Sequence, residues 1–572
     1  MTDFEHTWES LPAGSARPAW CILHTHFGDG AHFLDTWAAW QTDPHRPRML
    51  HYVALTQHAP AQIFATDSPH VHALQHALAQ CNRLDKGQHR LCFEGGRVLL
   101  TVCVGGMIDT LREQQFDADA IVLDASTLPD GDQTIWALKA LARRCKRATH
   151  LTLTTGTPNH AASALLPLTP LLLQCGFVIQ TPLDIDRPWP QYGAFNPRWD
   201  VKNTREPWRL SVGEPQHCVV IGAGLAGASV AASLARRGWR VLVVDMADQP
   251  AQGASGLPVG LTAPVLSADD NVLSRLTRSG ARLSLQQAQQ LLTPGQDWAL
   301  SGVEEIQFDT TAGAPPPALW HAKAGWIKPA SLITAWLRHP AIEFQGNTRI
   351  ANLRRSGEGW QLMNERAEVV CTTQRVVLAN ATGAMPLLHT VAETHTALQP
   401  TLSKLPAIFG VRGLVSWAQH DVPETRPFPP HPVNGNGSLI AGVPFADGQR
   451  WFLGASYQPI SPRKPEWPDD KNHGANVLRL DKLLPELSAA LTPVFEAGAL
   501  SAWKGVRCVS ADRLPLVGSV LPDDPTLWLC FGMGSRGLTH TALCAEVLAA
   551  HWAGEPLPIE ASLAQQLWPQ RK

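Results

Sequence analysis

Gly222, Gly224 and Gly227 form G-x-G-x-x-G directly after the apolar run His217-Cys218-Val219-Val220-Ile221. An acid, Asp245, closes the next apolar run, 240–244. Each residue type suits one task in holding a dinucleotide. Gly222 permits the tight turn, Gly224 puts no side chain between backbone and pyrophosphate, and Gly227 lets the following helix lie close on its strand. The helix start offers unpaired N–H groups and a positive dipole end to phosphate. Asp245 can accept hydrogen bonds from both ribose hydroxyls. A glycine triplet alone is weak evidence. Strand, turn, helix and acid in this order make dinucleotide binding the reading, with FAD and NAD undivided at this point.

The elements that must carry this turn fall into two blocks. At 572 residues the chain is too long for one ordinary core. Composition and pattern break at a Pro-, Trp- and Arg-rich stretch without periodicity. We therefore expect domains over 1–185 and 216–572, with 186–215 as an ordered linker. In the first block, strand-like runs at 21–24, 50–54, 98–104, 120–123 and 151–154 alternate with helical patterns such as 31–40 and 70–78. That alternation predicts an α/β domain with a largely parallel sheet. The second block opens on the glycine turn and later shows strand-like segments at 342–345, 375–379 and 451–453. It reads as a nucleotide-binding domain interleaved with an antiparallel substrate domain.

The composition excludes several classes. With 44% hydrophobic and 17% charged residues the chain has the make-up of a soluble protein. No apolar run reaches the ~18 residues of a membrane span, and no signal peptide is read at the N-terminus. A cytoplasmic protein is the expectation. The 11 cysteines are dispersed without a C-x-x-C pair, so reduced thiols are expected rather than disulfides or zinc. The 23 histidines lack ligand spacing, and no metal is expected. Basic residues cluster at Arg143-Arg144-Cys145-Lys146-Arg147 and, more loosely, at Arg198, Lys202, Arg205 and Arg209. On charge alone these read as a solvated helix end and a polar linker.

Three C-terminal segments decide the cofactor: Gly505-Val506-Arg507, Asp512 through Gly518, and Phe531-Gly532-Met533-Gly534-Ser535-Arg536-Gly537-Leu538. They resemble the closing signature of the D-amino-acid oxidase family of flavoproteins. That resemblance implies FAD, with Gly534, Ser535, Gly537 and Leu538 opening a helix toward the flavin edge that gains negative charge. Further segments are Gln252-Gly253-Ala254-Ser255-Gly256, Asp269 through Arg275, Gly325-Trp326-Ile327-Lys328-Pro329, Val411-Arg412-Gly413 and Gly454-Ala455-Ser456-Tyr457. Together, over about residues 215–570, these resemble the oxidoreductase half of the bifunctional tRNA 5-methylaminomethyl-2-thiouridine biosynthesis family, the MnmC family. Ala254, Ser255 and Gly256 join the candidate cofactor contacts. The family usually has Asn-Arg after the last of these, whereas Leu257-Pro258 follow here.

The first block is similar to that family's other half, a methyltransferase using S-adenosylmethionine. Phe27-Gly28-Asp29-Gly30-Ala31-His32-Phe33-Leu34 lies where the family has G-F-G-T-G-x-N-F-L, which makes Gly28 and Gly30 candidate cofactor contacts. Asp119 through Asp124 resembles its D-x-x-x-L-D-G-F strand, which makes Asp124 a catalytic candidate. His26 replaces the leading glycine, His32 the asparagine, Thr56 the ribose-gripping acid, and Ala125 the glycine after Asp124. A degenerate methyltransferase domain is the favoured reading; the retained Asp124 keeps the active one open.

The resemblance implies FAD-dependent removal of the carboxymethyl group from 5-carboxymethylaminomethyl-(2-thio)uridine in the tRNA anticodon loop, possible methylation following in the first domain. Arg507 is the expected carboxylate holder, because related glycine-oxidising flavoproteins place an arginine there and a guanidinium binds a carboxylate through two parallel bonds. Arg536 is the second catalytic candidate. Arg513 reads equally as the partner of a buried acid, Arg412 is weaker, and Lys328 reads as a surface turn. The Arg143–Arg147 cluster and the Trp-rich linker become candidate tRNA contacts. Two alternatives stay open: a small-molecule amine, glycine or D-amino-acid oxidase, and a tRNA-binding protein with a structural flavin.

Overall fold

The computed structural model describes residues 8, 18–58, 69–81, 84–155, 168–179, 191–200, 216–308, 318–357, 359–420, 428–461, 463–521 and 524–571. Lys202, Arg205, Arg209 and most of the expected linker lie outside them. The chain divides into two compact units, Met1–Glu214 with Ala549–Ala564, and Pro215–Leu548 with Gln565–Lys572.

In the first unit the chain runs through β1 (Ala19–His24), α1 (Ala31–Thr42), β2 (Met49–Thr56), α2 (Val71–Ala79), β3 (Gly87–Phe93) and β4 (Val98–Val104). It continues through α3 (Met107–Arg112), β5 (Ala118–Asp124), α4 (Gln133–Ala142), β6 (Cys145–Thr154), α5 (Leu168–Gln174), β7 (Phe177–Ile179) and β8 (Gln191–Phe195). The strands make one sheet in the order β3-β4-β2-β1-β5-β6-β8-β7. Its centre is parallel and β3, β7 and β8 are antiparallel to their neighbours. Alternate side chains of β1 enter two cores, Trp20 and Ile22 on one face, Cys21 and Leu23 on the other. A sheet covered on both faces explains why its strands read as unbroken apolar runs.

One segment departs from expectation. β8 lies inside the stretch read as a linker without regular structure. Gly193 hid it: glycine weakens a strand pattern, yet here a Cβ would fall 2.6 Å from the Val178 carbonyl oxygen. Residues 549–564 also belong to this unit. Glu555 lies 3.2 Å from His51 Nε2, both buried. The buried Arg90 donates to the Pro556 carbonyl at 2.6 Å and to Thr101 Oγ1 at 2.7 Å.

In the second unit β9 (His217–Ile221), α6 (Leu225–Arg236) and β10 (Arg240–Val244) begin a six-stranded sheet. Its order is Ile342–Gln345, β10, β9, Val376–Leu378, Asp524–Phe531, Leu516–Leu521, with only the last strand antiparallel. A second sheet is built around the long strand Ile408–Gln419, flanked antiparallel by Gly448–Gly454 and Ser501–Ser510. Helices Asp469–Leu483 and Pro485–Glu496 cover one of its faces, where Leu480, Leu483, Leu487 and Leu491 pack on Val433, Leu439, Trp451 and Leu453. Opposed residues of paired strands share a face. Arg507 and Trp503, opposite Val411 and Val415, are therefore on one face with Gly413. The expected architecture, a nucleotide-binding sheet interleaved with an antiparallel one, is the one observed.

Candidate flavin and substrate site

The glycine turn has the geometry its residue types call for. Gly222 adopts φ +108°, and a Cβ there would lie 2.8 Å from the Ala379 carbonyl oxygen. A Cβ on Gly227 would fall 1.8 Å from the Gly222 carbonyl oxygen, so α6 is drawn against its own strand turn. The Asp245 carboxylate accepts the Ala223 N–H at 2.6 Å and the Ala247 N–H at 2.9 Å, which holds it at the mouth of the turn. Ser255 lies in the short turn Ala254–Gly256 and accepts the N–H of Leu225, the first residue of α6, at 3.0 Å. An oxygen acceptor thus already sits at the helix start, where a phosphate oxygen would be received.

A second helix start meets the first. The turn Gly534–Arg536 leads into helix Gly537–Ala553, and a Cβ on Gly537 would lie 3.4 Å from Leu225 Cδ1. A Cβ on Gly260 would meet Leu538 Cδ1 at 2.8 Å, and the Leu538 carbonyl accepts Ser284 Oγ at 2.5 Å. Strand Ser501–Ser510 contacts both the Ala254–Gly256 and the Gly534–Arg536 turns, and a bridge joins Val509 to Met533. Glycines far apart in sequence therefore line one place, and the strand bearing Arg507 borders it. These groups fit FAD: one helix N-terminus and a serine for the pyrophosphate, a carboxylate for the ribose, and a second helix N-terminus for the flavin edge.

Three cations, Arg479, Arg507 and Arg536, bear on this place. Arg507 donates to the Ser456 carbonyl oxygen at 3.3 Å. Its guanidinium lies over Gly413, where a Cβ would meet Nη2 at 2.5 Å and Nη1 at 2.6 Å. Burial pulls its pKa below the ordinary value, the Tyr457 phenol opposes this, and Arg479 adds to it. Among the described residues, none of Arg479, Arg507 and Arg536 has a carboxylate within ion-pair distance. A substrate carboxylate arriving here meets positive charge that the protein has left unpaired. Gly413→Ala should push the guanidinium aside and lower kcat/KM roughly a hundredfold, as displacements of about 1 Å do. Flavin content is expected to stay at parental level, which absorbance and steady-state rates together would check.

His540, one turn into helix Gly537–Ala553, carries no sequence pattern that marks it. Burial and then the nearby Arg536 charge push its pKa from 6.5 to about 3. Between these values the unfolded chain binds a proton that the folded chain refuses. The stability from keeping His540 neutral is thus present above pH 6.5 and lost as pH falls toward 3. His540→Gln is expected to flatten the fall in Tm between about pH 7 and pH 5, read by thermal scans across that range.

Other sequence readings change. Lys328 is no plain surface turn: it is half-buried, donates to the Pro444 carbonyl oxygen at 2.5 Å and lies 4.4 Å from the centre of the Phe445 ring. Arg412 is paired with Glu466 at 3.1 Å. Arg513 has no acid partner among the described residues; its neighbour Asp512 binds Arg571 instead. The Arg143–Arg147 cluster is more than a solvated helix end. Arg144 is buried and donates to the Gln114 carbonyl, Lys146 meets Asp119 at 2.5 Å, and Arg147 holds the carbonyls of Pro197 and Trp199. Sequence reasoning also passed over Arg479 and the role of Gly413, because no local pattern joins either to Arg507.

In the first unit, Gly28 and Gly30 keep left-handed turns at φ +58° and +81°, and Asp124 ends β5. Asp124 Oδ1 is occupied by the Ser126 N–H and hydroxyl, at 2.9 and 2.7 Å. Among the described residues, no cluster of side chains could hold a metal ion and no helix is long and apolar enough to cross a membrane.

Doubly wound sheet, antiparallel partner and glycine-lined cradle define an FAD-dependent oxidoreductase. The model of the family described as FAD dependent oxidoreductase matches residues 217–309 and 283–551. A protein of Albidiferax ferrireducens, named tRNA 5-methylaminomethyl-2-thiouridine biosynthesis bifunctional protein MnmC, is 50% identical over 97% of this chain and 93% of its own length. Another of the same name, from a Polaromonas species, is 42% identical over 98% of this chain and 92% of its own. Among solved structures, L-proline dehydrogenase from P. horikoshii is similar at a TM-score of 0.48 and 16% identity, covering 63% of this chain and 98% of that one. The chain belongs to the MnmC family.

Proposed function

We propose that this chain removes the carboxymethyl group from 5-carboxymethylaminomethyl-(2-thio)uridine at the tRNA wobble position, leaving 5-aminomethyl-(2-thio)uridine. The observation that carries the reading is the unpaired Arg507, set over Gly413 on a sheet face that borders both glycine turns. The substrate's reacting arm is an N-substituted glycine, and its carboxylate is the anion this guanidinium lacks. The names of the relatives support a tRNA substrate, and a tRNA substrate fits the cytoplasm as the place of work.

Bound FAD supplies a two-electron acceptor for the C–H bond next to the amine. Gly222, Gly224, Gly227, Ala254, Ser255, Gly256, Gly534, Ser535, Gly537 and Leu538 would hold it, with Asp245 on the ribose. Arg507, with Arg479 and Arg536 adding positive potential, fixes the carboxylate so that the glycine CH₂ is presented in one orientation. Loss of two electrons and two protons, one proton from the carbon and one from the nitrogen, turns the N–CH₂ bond into an imine. Water adds to its carbon, the C–N bond breaks, and glyoxylate leaves while the nitrogen stays on the uridine as a primary amine. The protein needs little acid-base machinery if the amine enters neutral.

Anaerobic mixing of the flavin-loaded protein with tRNA bearing the carboxymethylaminomethyl group should bleach the flavin band near ~450 nm, a general flavin property. Nucleoside analysis should then show the 5-aminomethyl product. Bleaching by glycine or sarcosine and not by the tRNA would make the chain an amino-acid oxidase and overturn the reading. A flavin left oxidised by every substrate would make it structural.

A further inference from the structure

The relatives' name speaks of two functions, and the second calls for a methyl donor in the first unit. A nucleoside ligand of such a sheet sits outside the carboxyl ends of the strands, where the strand order reverses. Here that point lies between β1 and β5. Its backbone groups are already joined: Thr25 N–H to Val122 O at 3.0 Å, Phe27 N–H to Leu55 O at 2.9 Å, and Asp124 N–H to Thr25 Oγ1 at 2.9 Å. The loop after β1 is thus laced to the strands on both sides.

Histidine side chains gather at this end of the sheet. His24, the last residue of β1, is buried with Nδ1 2.7 Å from the Tyr52 hydroxyl, and the His32 ring stands edge-on to it at 5.0 Å. The exposed His26 ring lies 3.3 Å from where a Cβ on Gly28 would be, beside the glycine turn that a ligand would have to reach. At the end of β2, where a ribose-gripping acid is expected, Thr56 spends its hydroxyl on the His58 carbonyl at 2.6 Å. Among the described residues, the turn keeps the glycine conformations of a cofactor loop, β2 ends without the acid, and a histidine ring stands beside the first of those glycines.

We infer that this chain does not bind S-adenosylmethionine, and that it releases a primary amine which a separate N-methyltransferase must consume. The identity of that amine rests on the oxidation proposed above; the statement about S-adenosylmethionine does not. Losing an ionised partner for both ribose hydroxyls corresponds to about a hundredfold weaker binding or more, on the order of two charge-assisted contacts.

The test uses the full-length, flavin-loaded protein. S-adenosylmethionine is titrated into it by calorimetry, and near-ultraviolet circular dichroism of the same sample confirms that it is folded. In parallel, tRNA already carrying 5-aminomethyl-uridine is incubated with the protein and methyl-labelled S-adenosylmethionine, and its nucleosides are analysed. The expected result is no saturable heat and no label in the tRNA. Saturable binding in the micromolar range, or labelled 5-methylaminomethyl-uridine, would overturn the inference. Because the amine is supplied ready-made, a failure of the oxidation assay leaves both readouts unaffected.

Discussion

Replacing Arg507 with methionine should lower kcat/KM for the modified tRNA by about two to three orders of magnitude, the usual cost of removing one partner from a buried charge-assisted pair. Methionine keeps much of the bulk and removes the charge, so the strand pairing of Val411 with Arg507 need not shift. The flavin spectrum should stay parental, since Arg507 lies on the antiparallel sheet and the cradle glycines lie elsewhere. Arg507→Lys should recover only part of the loss, because an ammonium cannot offer the planar two-pronged contact. Steady-state rates and single-turnover flavin bleaching measure both. Parental kcat/KM in the methionine variant would remove Arg507 from substrate binding and shift attention to Arg479 and Arg536.

Gly227→Ala should yield protein that retains less than about a tenth of its flavin. The added Cβ has 1.8 Å to the Gly222 carbonyl oxygen and 2.9 Å to its carbon, both backbone atoms that cannot swing away. Either α6 lifts from β9 or the turn opens, and each moves the helix N-terminus off the pyrophosphate. Gly224→Ala makes the instructive contrast. Its Cβ would meet only the Ser255 side chain, at 2.9 Å, and a hydroxyl can rotate. That variant should leave the helix packing intact and lose flavin only through the methyl group it sets toward the pyrophosphate, so its flavin-free form should melt near the parental temperature. Absorbance ratios of the purified proteins, with thermal melts followed by far-ultraviolet circular dichroism, separate the two outcomes. Equal melting temperatures in both would mean that helix-to-strand closeness is not what the third glycine provides.

The parts of the fold that sequence reveals are those in which one local pattern does one job. β4 is found at the expected bounds because an apolar run in a buried strand has nothing to contradict it, and Ile342–Gln345 because its alternation fits a strand with one face exposed. The glycine turn is legible for a similar reason: its steric demands are met within a few residues. Other features rest on partners that are remote along the chain. Gly413 looks like an ordinary strand glycine until Ser501–Ser510 pairs beside it and lays the Arg507 guanidinium over it. Arg479 sits on the helix Asp469–Leu483, and its charge bears on Arg507 from an element remote in sequence. β8 was hidden by the glycine that its packing requires. Charge clusters misled in the opposite way, since Arg144 sits in a run that reads as surface and is spent inside the domain.

Residues 549–564 have a bearing on how the molecule is made. They hold the partners of His51 and Arg90, yet they leave the ribosome only after all of 215–548 has been synthesised. At ~5–20 residues per second, the first unit must wait on the order of tens of seconds for its last piece. During that interval Arg90 is held in an unfinished core, a ready surface for chaperones. Birth order and folding order therefore differ: the unit that begins first is completed last. A gene split between the two units would leave its first product without the carbonyl and carboxylate that finish it, unless the missing segment were supplied in trans.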